Sequence, residues 1–209
     1  MDKLRGLFPC GFYETDRQGR PLMLVDVGNT KVQELLDAFK ADVLVRHLLR
    51  ELEHTWRTKF EDCTSFVYKE GVDQMVAIID LNGVKLKDLS NKQLNVIFRT
   101  CLIEFLRYYP EMLHKAYILS APMFFQSIYE NEVLPHLPEG TSKKIIISGE
   151  NTHPDLLASF DLAKLPSLYG GQAEAEATCV HADKGPWNDV ENKINFSTNK
   201  EEFKFYDDD

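Results

Sequence analysis

The chain has 209 residues, of which 44% are hydrophobic, and 33 acidic against 24 basic side chains give it a net charge of −9. This length and apolar content suffice for one large domain with a sizeable core, or for one domain with a tail. The acidic balance argues against a general nucleic-acid-binding protein, which needs a basic surface, although it leaves room for a local basic patch.

The four cysteines are widely spaced and form no CxxC pair, which favours free thiols in a reducing compartment over a disulfide framework or a zinc site. The first twenty residues contain no apolar stretch typical of a signal peptide. No run reaches the roughly 18 apolar residues of a membrane span. The sequence therefore predicts a cytoplasmic protein without a metal site.

The first half of the chain predicts two strands separated by a long helix. A turn over 15–21, TDRQGRP, precedes the apolar strand LMLVDVG. Apolar residues at helical spacing then predict one helix from about Lys31 to Phe60. The run QMVAIIDLNG over 74–83 is typical of a buried strand that ends in a turn.

The second half continues this alternation of helices and strands. A helix with Ser90 as N-cap runs to about Tyr109 and is followed by a strand over 115–120, an amphipathic helix over 124–134 and a buried strand over 143–149. Thr152 is the predicted N-cap of a further helix, with Pro154 in its first turn. The order predicts an α/β fold with a largely parallel sheet and helices on its faces.

The composition changes from Gln172 onward, where ten acids stand against four lysines with little periodicity. This pattern predicts an extension that lies over the domain and ends in a frayed acidic tail. Trp187 and Phe196 are the residues expected to hold the extension in place.

None of the common catalytic motifs is present: GxSxG, GxGxxG and GxxxxGK[ST] are all missing from the sequence. His47 and His54 lie two helical turns apart, but a structural or solvent-facing role is favoured over a metal site. Cys101 is better explained by helix packing than as a nucleophile. Asp26 and Asp80 each end an apolar strand before a turn, which favours turn capping over a paired-carboxylate site. The sequence predicts a non-enzymatic protein.

The helix over 124–134 concentrates its apolar residues on one side: Phe124, Phe125, Ile128, Tyr129 and Leu134. One interpretation is a surface helix packed on the sheet. The other is a movable lid with an apolar inner face, which the prolines before and after the helix favour.

Several segments in order carry a resemblance to a known family: FPCGFYETDRQGRPLMLVDVG, VAIIDLNGV, YYPEMLHKAYILSAPMFF, TSKKIIISG, LPSLYGG and KGPW. Over roughly residues 8–187 the chain resembles the CRAL-TRIO lipid-binding domain, and within it the phosphatidylinositol-transfer branch. Residues 188–209 would then form a C-terminal extension with an acidic end.

The resemblance implies a mostly parallel sheet floor, flanking helices and a deep apolar cavity for one lipid. A gating helix, matching about 123–134, would close the cavity with an inner face made of Phe124, Phe125 and Ile128. The positions that match the cavity wall are Phe12, Met23, Met75, Ala77 and Phe105.

The same resemblance implies a headgroup site. Glu111 and Lys144 match an acid and a lysine that serve the inositol phosphate, and Thr141 matches a nearby hydroxyl. Lys144 would meet the phosphate as a point charge, while Glu111 would accept hydrogen bonds from inositol hydroxyls or keep Lys144 charged. Tyr109 would end its helix at the pocket.

Two departures from the family pattern affect the expected ligand. The five wall positions offer no hydroxyl for the phosphate of phosphatidylcholine, so a phosphatidylcholine site is not expected and a sterol or isoprenoid becomes easier to accommodate. The sequence also begins almost at the first strand, without the helical lobe that usually precedes the domain, so weaker phosphoinositide affinity is expected.

The predicted function is binding and transfer between membranes of a single lipid, with phosphatidylinositol favoured. The predicted protein is a monomer that needs no cofactor and touches membranes transiently. One alternative is a carrier of a small hydrophobic molecule of the sterol, tocopherol or retinoid type, which would ignore Glu111 and Lys144. Another is a scaffold that binds a membrane or a protein without transfer, with a cavity filled by side chains.

Overall fold

A computed structural model describes residues 2–64, 71–89, 91–109, 111–174 and 179–188 of the chain. The strands are Cys10–Thr15 (β1), Pro21–Asp26 (β2), Met75–Asp80 (β3), Leu113–Leu119 (β4) and Ile145–Ile147 (β5). The α-helices are Asp2–Leu7 (α1), Val32–Ala38 (α2), Ala41–His54 (α3), Phe60–Cys63 (α4), Leu86–Leu89 (α5), Lys92–Tyr108 (α6), Phe125–Ile128 (α7), Glu139–Ser142 (α8), Pro154–Ser159 (α9) and Cys179–Ala182 (α10). Thr55–Lys59 and Tyr129–Val133 are π-helical, and Leu134–His136, Ser167–Tyr169 and Pro186–Asn188 are 3-10 turns.

The five strands form one sheet whose spatial order is the same as their order in the sequence. β1 pairs antiparallel with β2, whereas the pairs β2–β3, β3–β4 and β4–β5 are all parallel. Parallel neighbours require crossover connections, and helices fill these connections. The predicted α/β fold with a mostly parallel sheet and flanking helices is confirmed.

One face of the sheet is sealed by the chain that follows β5. Successive strand residues point to opposite faces, so Val76, Ile78, Tyr117 and Leu119 share this side. They form one buried cluster with residues from α9 and beyond: Leu156, Phe160, Leu165 and Tyr169. We call this side the closed face.

The opposite side, which we call the cleft face, carries alternate strand residues: Met23, Met75, Ala77, Ile79, Ala116 and Ile118. These residues belong to several smaller clusters covered by α3, α6 and the chain after β4. The apolar surface of this face is therefore divided among separate contacts, and part of it remains open.

The prediction of one helix from Lys31 to Phe60 is wrong, because the chain breaks between α2 and α3. Phe39 is extended, with φ −136° and ψ 139°, although neither glycine nor proline occurs at the break. Phe39 packs in the same cluster as Leu35 and Leu44. The turn lets both helices reach that cluster, so tertiary packing overrides the local helical pattern.

Two helix starts also differ from the sequence predictions. Ser90 lies outside the described residues, and the N-cap of α6 is Asn91, whose side chain accepts from the backbone N–H groups of residues 93 and 94. The N-cap of α9 is His153 instead of Thr152. The Thr152 hydroxyl is used elsewhere, since it donates to the Tyr169 carbonyl at 2.8 Å.

The C-terminal segment, defined here as residues 179–188, returns to β1. A side chain on Gly11 would overlap the Val180 carbonyl, so this close approach requires glycine. Trp187 is 3% exposed, and its ring lies edge-on to the Phe12 ring with the ring centroids 6.4 Å apart. Trp187 therefore holds this segment as predicted, whereas Phe196 lies outside the described residues.

Candidate functional site

An apolar cleft of about 520 Å³ opens on the cleft face. Its floor includes Ile79 and Ile118, from the carboxyl-terminal halves of β3 and β4. Helix α6 forms one wall with Val96, Phe98 and Leu102. The opposite wall is the segment after β4. Such a mostly apolar cleft with a few polar groups is the usual form of a small-molecule or lipid site.

The segment 123–134, which we call the gate segment, is helical as predicted, although it passes from α-helix to π-helix. Phe125, Ile128 and Tyr129 line the cleft, and the Phe125 and Tyr129 rings lie 6.3 Å apart. Phe124 packs more peripherally on the same cluster. Met123 is 98% exposed. One side of the gate segment thus covers the cleft, and Met123 at its start is exposed to solvent.

The five predicted wall residues lie on the cleft face or against it. Phe12 and Met75 are buried in the cluster that includes Trp187 and Met112. Ala77 belongs to a neighbouring cluster. The side chains of Met23 and Phe105 contact both clusters. None of the five lines the cleft beneath the gate segment, so their role as the wall of an acyl pocket stays a prediction.

Glu111 and Lys144, which we call the headgroup pair, are brought together although they lie 33 positions apart. Each residue precedes a strand, and those strands, β4 and β5, are parallel neighbours, so both residues lie at the amino-terminal edge of the sheet. The Lys144 Nζ is 3.2 Å from the Glu111 Oε2. The Glu111 carboxylate is 84% exposed and the Lys144 side chain 25%, so both are open to a ligand from solvent.

The two other predicted headgroup residues occupy different positions relative to this pair. Thr141 is buried in α8, and its carbonyl accepts the Lys144 backbone N–H at 3.0 Å, which fixes the main chain of Lys144. The Tyr109 hydroxyl donates to the Glu53 carboxylate instead of facing Lys144. Burial and this carboxylate raise the pKa of Tyr109 to about 12, so the hydroxyl stays protonated.

The cleft and the headgroup pair lie toward opposite ends of the same strands. Glu111 stands two residues before β4, and Ile118 in the cleft floor is the sixth of its seven residues, a separation of about 20 Å at roughly 3.3 Å per residue. A polar pair at one end and an apolar cleft at the other suit a long amphiphile lying along the strands.

Several groups weighed as catalytic have structural partners. The Asp26 carboxylate accepts from the Asn29 backbone N–H at 3.0 Å, and the Asp80 carboxylate accepts from the Asn82 backbone N–H at 2.9 Å. Both therefore cap turns. Burial raises the pKa of the Cys101 thiol to about 11, which opposes formation of a nucleophilic thiolate, and the side chain packs against a core cluster.

The two histidines considered for a metal site show no such arrangement. Burial lowers the pKa of His47, which keeps its ring neutral, while His54 is exposed on α3. Within the described ranges, no group of three or more potential ligands could hold a metal ion.

Sequence reasoning missed the α6 wall of the cleft and a buried lysine. Phe98 and Leu102 are spaced at i and i+4, a pattern that could have identified the inward side of α6. Lys59 is 5% exposed, and its ammonium lies 4.4 Å from the Trp187 ring and 2.5 Å from Asp183. No local signal distinguishes Lys59 from a surface lysine, because its partners come from the distant C-terminal segment.

The fold and cleft define an α/β domain with a sheet floor, flanking helices and an apolar cleft under a helical cover. The chain belongs to the CRAL/TRIO domain family, whose sequence profile matches residues 7–171. The predicted family resemblance is thereby confirmed.

Similar proteins include the phosphatidylinositol/phosphatidylcholine transfer protein SFH7 of Arabidopsis thaliana, which is 30% identical over 91% of this chain and 35% of its own length. The SEC14 cytosolic factor of Yarrowia lipolytica is 30% identical over 88% of this chain and 36% of its own. The Sec14 cytosolic factor of Schizosaccharomyces pombe is 28% identical over 87% of this chain and 62% of its own. The chain thus spans about a third of the length of the first two relatives.

Among solved structures, that of Sfh5 matches with a TM-score of 0.60 at 19% identity, covering 84% of this chain and 59% of that one. This similarity supports the fold. In the part of the chain that the structure describes, no helix is both long and apolar enough to cross a membrane.

Proposed function

We propose that this chain binds one lipid and transfers it between membranes without chemical change, with phosphatidylinositol as the favoured ligand. The main observation behind this proposal is that an apolar cleft lies under the gate segment and the headgroup pair lies at the other end of the same strands. The similarity to a phosphatidylinositol/phosphatidylcholine transfer protein supports the same activity. A cytoplasmic location with transient membrane contact is part of the proposal.

The energetics of such a transfer place selectivity at the headgroup. A diacyl lipid carries about 30 methylenes, so full burial is worth on the order of 24 kcal/mol at roughly 0.8 kcal/mol each. A membrane offers nearly the same benefit, which makes exchange between membrane and protein close to neutral. One charge-assisted hydrogen bond, worth about 1.5–3 kcal/mol, can therefore decide which lipid is carried.

Lys144 is the proposed phosphate contact, and Lys143 provides a matched control. The Lys143 side chain is 72% exposed, and its ammonium pairs with the carboxylate of Glu139, four residues earlier in the chain. In competitive transfer from vesicles containing labelled phosphatidylinositol and phosphatidylcholine, Lys144→Ala should weaken phosphatidylinositol binding about tenfold to a hundredfold. Lys143→Ala should leave it within about twofold.

The same assay tests the choice of lipid. Unmutated protein should move phosphatidylinositol faster than phosphatidylcholine, because Met75, Ala77 and Phe105 offer no hydroxyl. Equal rates for the two lipids, or equal effects of the two lysine substitutions, would show that the headgroup pair does not select the ligand.

A second candidate function is transport of a smaller hydrophobic molecule. The cleft volume of about 520 Å³ falls within the range of about 300–1,000 Å³ typical of small-molecule sites. Native mass spectrometry of the purified protein separates the candidates by the mass of the retained ligand. A sterol-sized or isoprenoid mass, with binding unaffected by Lys144→Ala, would favour the smaller molecule. The open cleft disfavours the scaffold alternative, which predicts a cavity filled by side chains.

A further inference from the structure

A second pocket, of about 510 Å³, opens beside Glu111 and is separate from the apolar cleft. Three aromatic rings line it, those of Trp56, Tyr108 and Tyr109. Three carboxylates line it as well: Glu53, Asp73 and Glu111. We call this site the aromatic pocket.

The rings of the aromatic pocket are exposed to an unusual degree. Trp56 is 46% exposed and Tyr108 58%, although both are large apolar side chains. The π-helical turn Thr55–Lys59 turns the Trp56 indole outward while Thr55 and Lys59 on the same turn are buried. The Trp56 and Tyr109 rings lie 6.3 Å apart at 46°, so their planes form an open angle instead of a stack.

Hydrogen bonds hold one wall of the pocket in place. The Glu53 carboxylate accepts from the Tyr109 hydroxyl and pairs with Arg57 on the next helical turn. These two hydrogen bonds lower the pKa of Glu53, which keeps it ionised at neutral pH. The Tyr109 ring is thus fixed at the pocket wall with its hydroxyl already satisfied.

The charge of the aromatic pocket favours a cation. Among the lining residues, three carboxylates stand against the single guanidinium of Arg57. Asp73 is exposed and forms no hydrogen bond or ion pair with another described residue. Glu111 shares its charge with Lys144. Arg57 pairs with Glu53, and Arg107 lies 5.5 Å over the Tyr108 ring, so a further cation would meet mainly Asp73 and the rings of Trp56 and Tyr109.

We propose that the aromatic pocket binds a quaternary ammonium group, either on a free small molecule or on the choline headgroups of a membrane surface. Aromatic rings with nearby carboxylates suit a bulky, weakly hydrated cation that cannot donate hydrogen bonds. The pocket shares Glu111 and Tyr109 with the predicted headgroup site but no residue with the apolar cleft, and its binding of an ammonium group does not require lipid transfer.

The membrane form of this contact agrees with the charge of the whole chain. A net charge of −9 disfavours adhesion to anionic lipids. A phosphatidylcholine surface presents its ammonium groups outermost, and exposed Trp and Tyr side chains prefer the same interfacial depth.

Trp56 makes the pocket directly observable. The chain has two tryptophans, and the other, Trp187, is buried. Titration with tetramethylammonium chloride should produce a saturable change in Trp fluorescence, whereas sodium chloride at equal ionic strength should not. Loss of one ring or one charge, in Tyr108→Ala or Asp73→Asn, should weaken binding about two- to fivefold, which corresponds to about 0.5–1 kcal/mol.

Two further arms complete the test. Glu34→Gln removes an exposed carboxylate on α2 far from the pocket in sequence and should leave binding unchanged. Vesicles of phosphatidylcholine should shift the Trp56 emission, and tetramethylammonium should reverse the shift, if the ammonium comes from a membrane. Binding of tetramethylammonium without any vesicle response identifies a free molecule as the source.

Four outcomes would overturn the proposal. An equal response to sodium chloride would indicate an ionic-strength effect. Saturable binding of myo-inositol without binding of tetramethylammonium would indicate a polyol site. An equal loss in Glu34→Gln and Asp73→Asn, or an equal response to phosphatidylglycerol vesicles, would show that the pocket does not recognise the ammonium group.

Discussion

The two faces of the sheet use the same strands for opposite purposes. On the closed face, Ile78, Tyr117, Leu156 and Phe160 are all 0% exposed and belong to one cluster. On the cleft face the apolar residues are divided among smaller clusters around an open volume of about 520 Å³. The comparison indicates that one face supplies stability and the other keeps apolar surface available for a ligand.

The largest expected effect comes from a matched pair of leucines, one on each side of the sheet. Leu156 in α9 is fully buried, whereas Leu102 in α6 is half-buried and lines the cleft. Leu156→Ala should lower the free energy of unfolding by about 3–5 kcal/mol, because it leaves a cavity in a packed cluster. Leu102→Ala should lower the free energy of unfolding by only about 1 kcal/mol, because it enlarges an existing opening. Chemical denaturation measures both, and equal losses would remove the distinction between the faces.

The gate segment tests the functional side of the comparison. Because Met123 is 98% exposed, Met123→Asp should leave the closed form intact while reducing transfer between vesicles about tenfold, if this end enters the membrane. Phe125→Asp should reduce transfer further, since Phe125 lines the cleft. Circular dichroism and thermal unfolding provide the control for folding. Undiminished transfer by both folded variants would mean that the gate segment does not open at membranes.

An ion pair between the buried Lys59 and the half-exposed Asp183 closes the end of the cleft face near Phe12. Asp183→Ala would leave the Lys59 ammonium buried without its carboxylate. Breaking a fully buried pair costs about 3–5 kcal/mol, but the Asp183 side chain is 51% exposed, so a loss of about 1–2 kcal/mol is expected. Glu139→Ala breaks an exposed pair with Lys143 and should cost less than about 1 kcal/mol. Similar losses in denaturation would show that Lys59 is readily resolvated.

The smallest expected effect concerns Asp80, a carboxyl on the closed face. Burial raises the pKa of Asp80, partly offset by the hydrogen bond from Asn82. The folded state therefore binds this proton more tightly than the unfolded state, so its contribution to stability is present below the ordinary pKa and declines as pH rises through the raised pKa. Asp80→Asn should flatten this decline at pH values above the ordinary pKa of an aspartate. Parallel pH profiles for both proteins in urea denaturation would contradict the assignment.

The sequence predicted the strands better than the helices. Apolar runs such as MVAIID mark buried strands directly, and the turn residues after them set their ends. The break at Phe39 carries no glycine or proline, and the π-helical turns at 55–59 and 129–133 have no local sequence signal. These departures depend on packing against distant residues, which a single sequence does not reveal.

The candidate site likewise combines features that the sequence predicted with features that it did not. The proximity of Glu111 and Lys144 was expected only from the family resemblance, because 33 positions separate them. The gate segment was recognisable from its own amphipathic pattern. Sequence reasoning did not identify Trp56 or Asp73, because the two residues line a common pocket only once the fold places them beside Tyr109.

The strand order has a consequence for how the chain reaches this state. Because each strand pairs with its sequence neighbour, the sheet can grow in one direction from β1 to β5 as the polypeptide emerges from the ribosome. The outer edge of β1 pairs with a residue far along the chain. Lys184 forms a parallel bridge with Tyr13, and the Lys184 carbonyl accepts the Glu14 backbone N–H at 2.5 Å. Until the residues around Lys184 have been synthesised and have docked, β1 presents an unpaired edge to other nascent chains, so misassembly through this edge is most favoured in that interval.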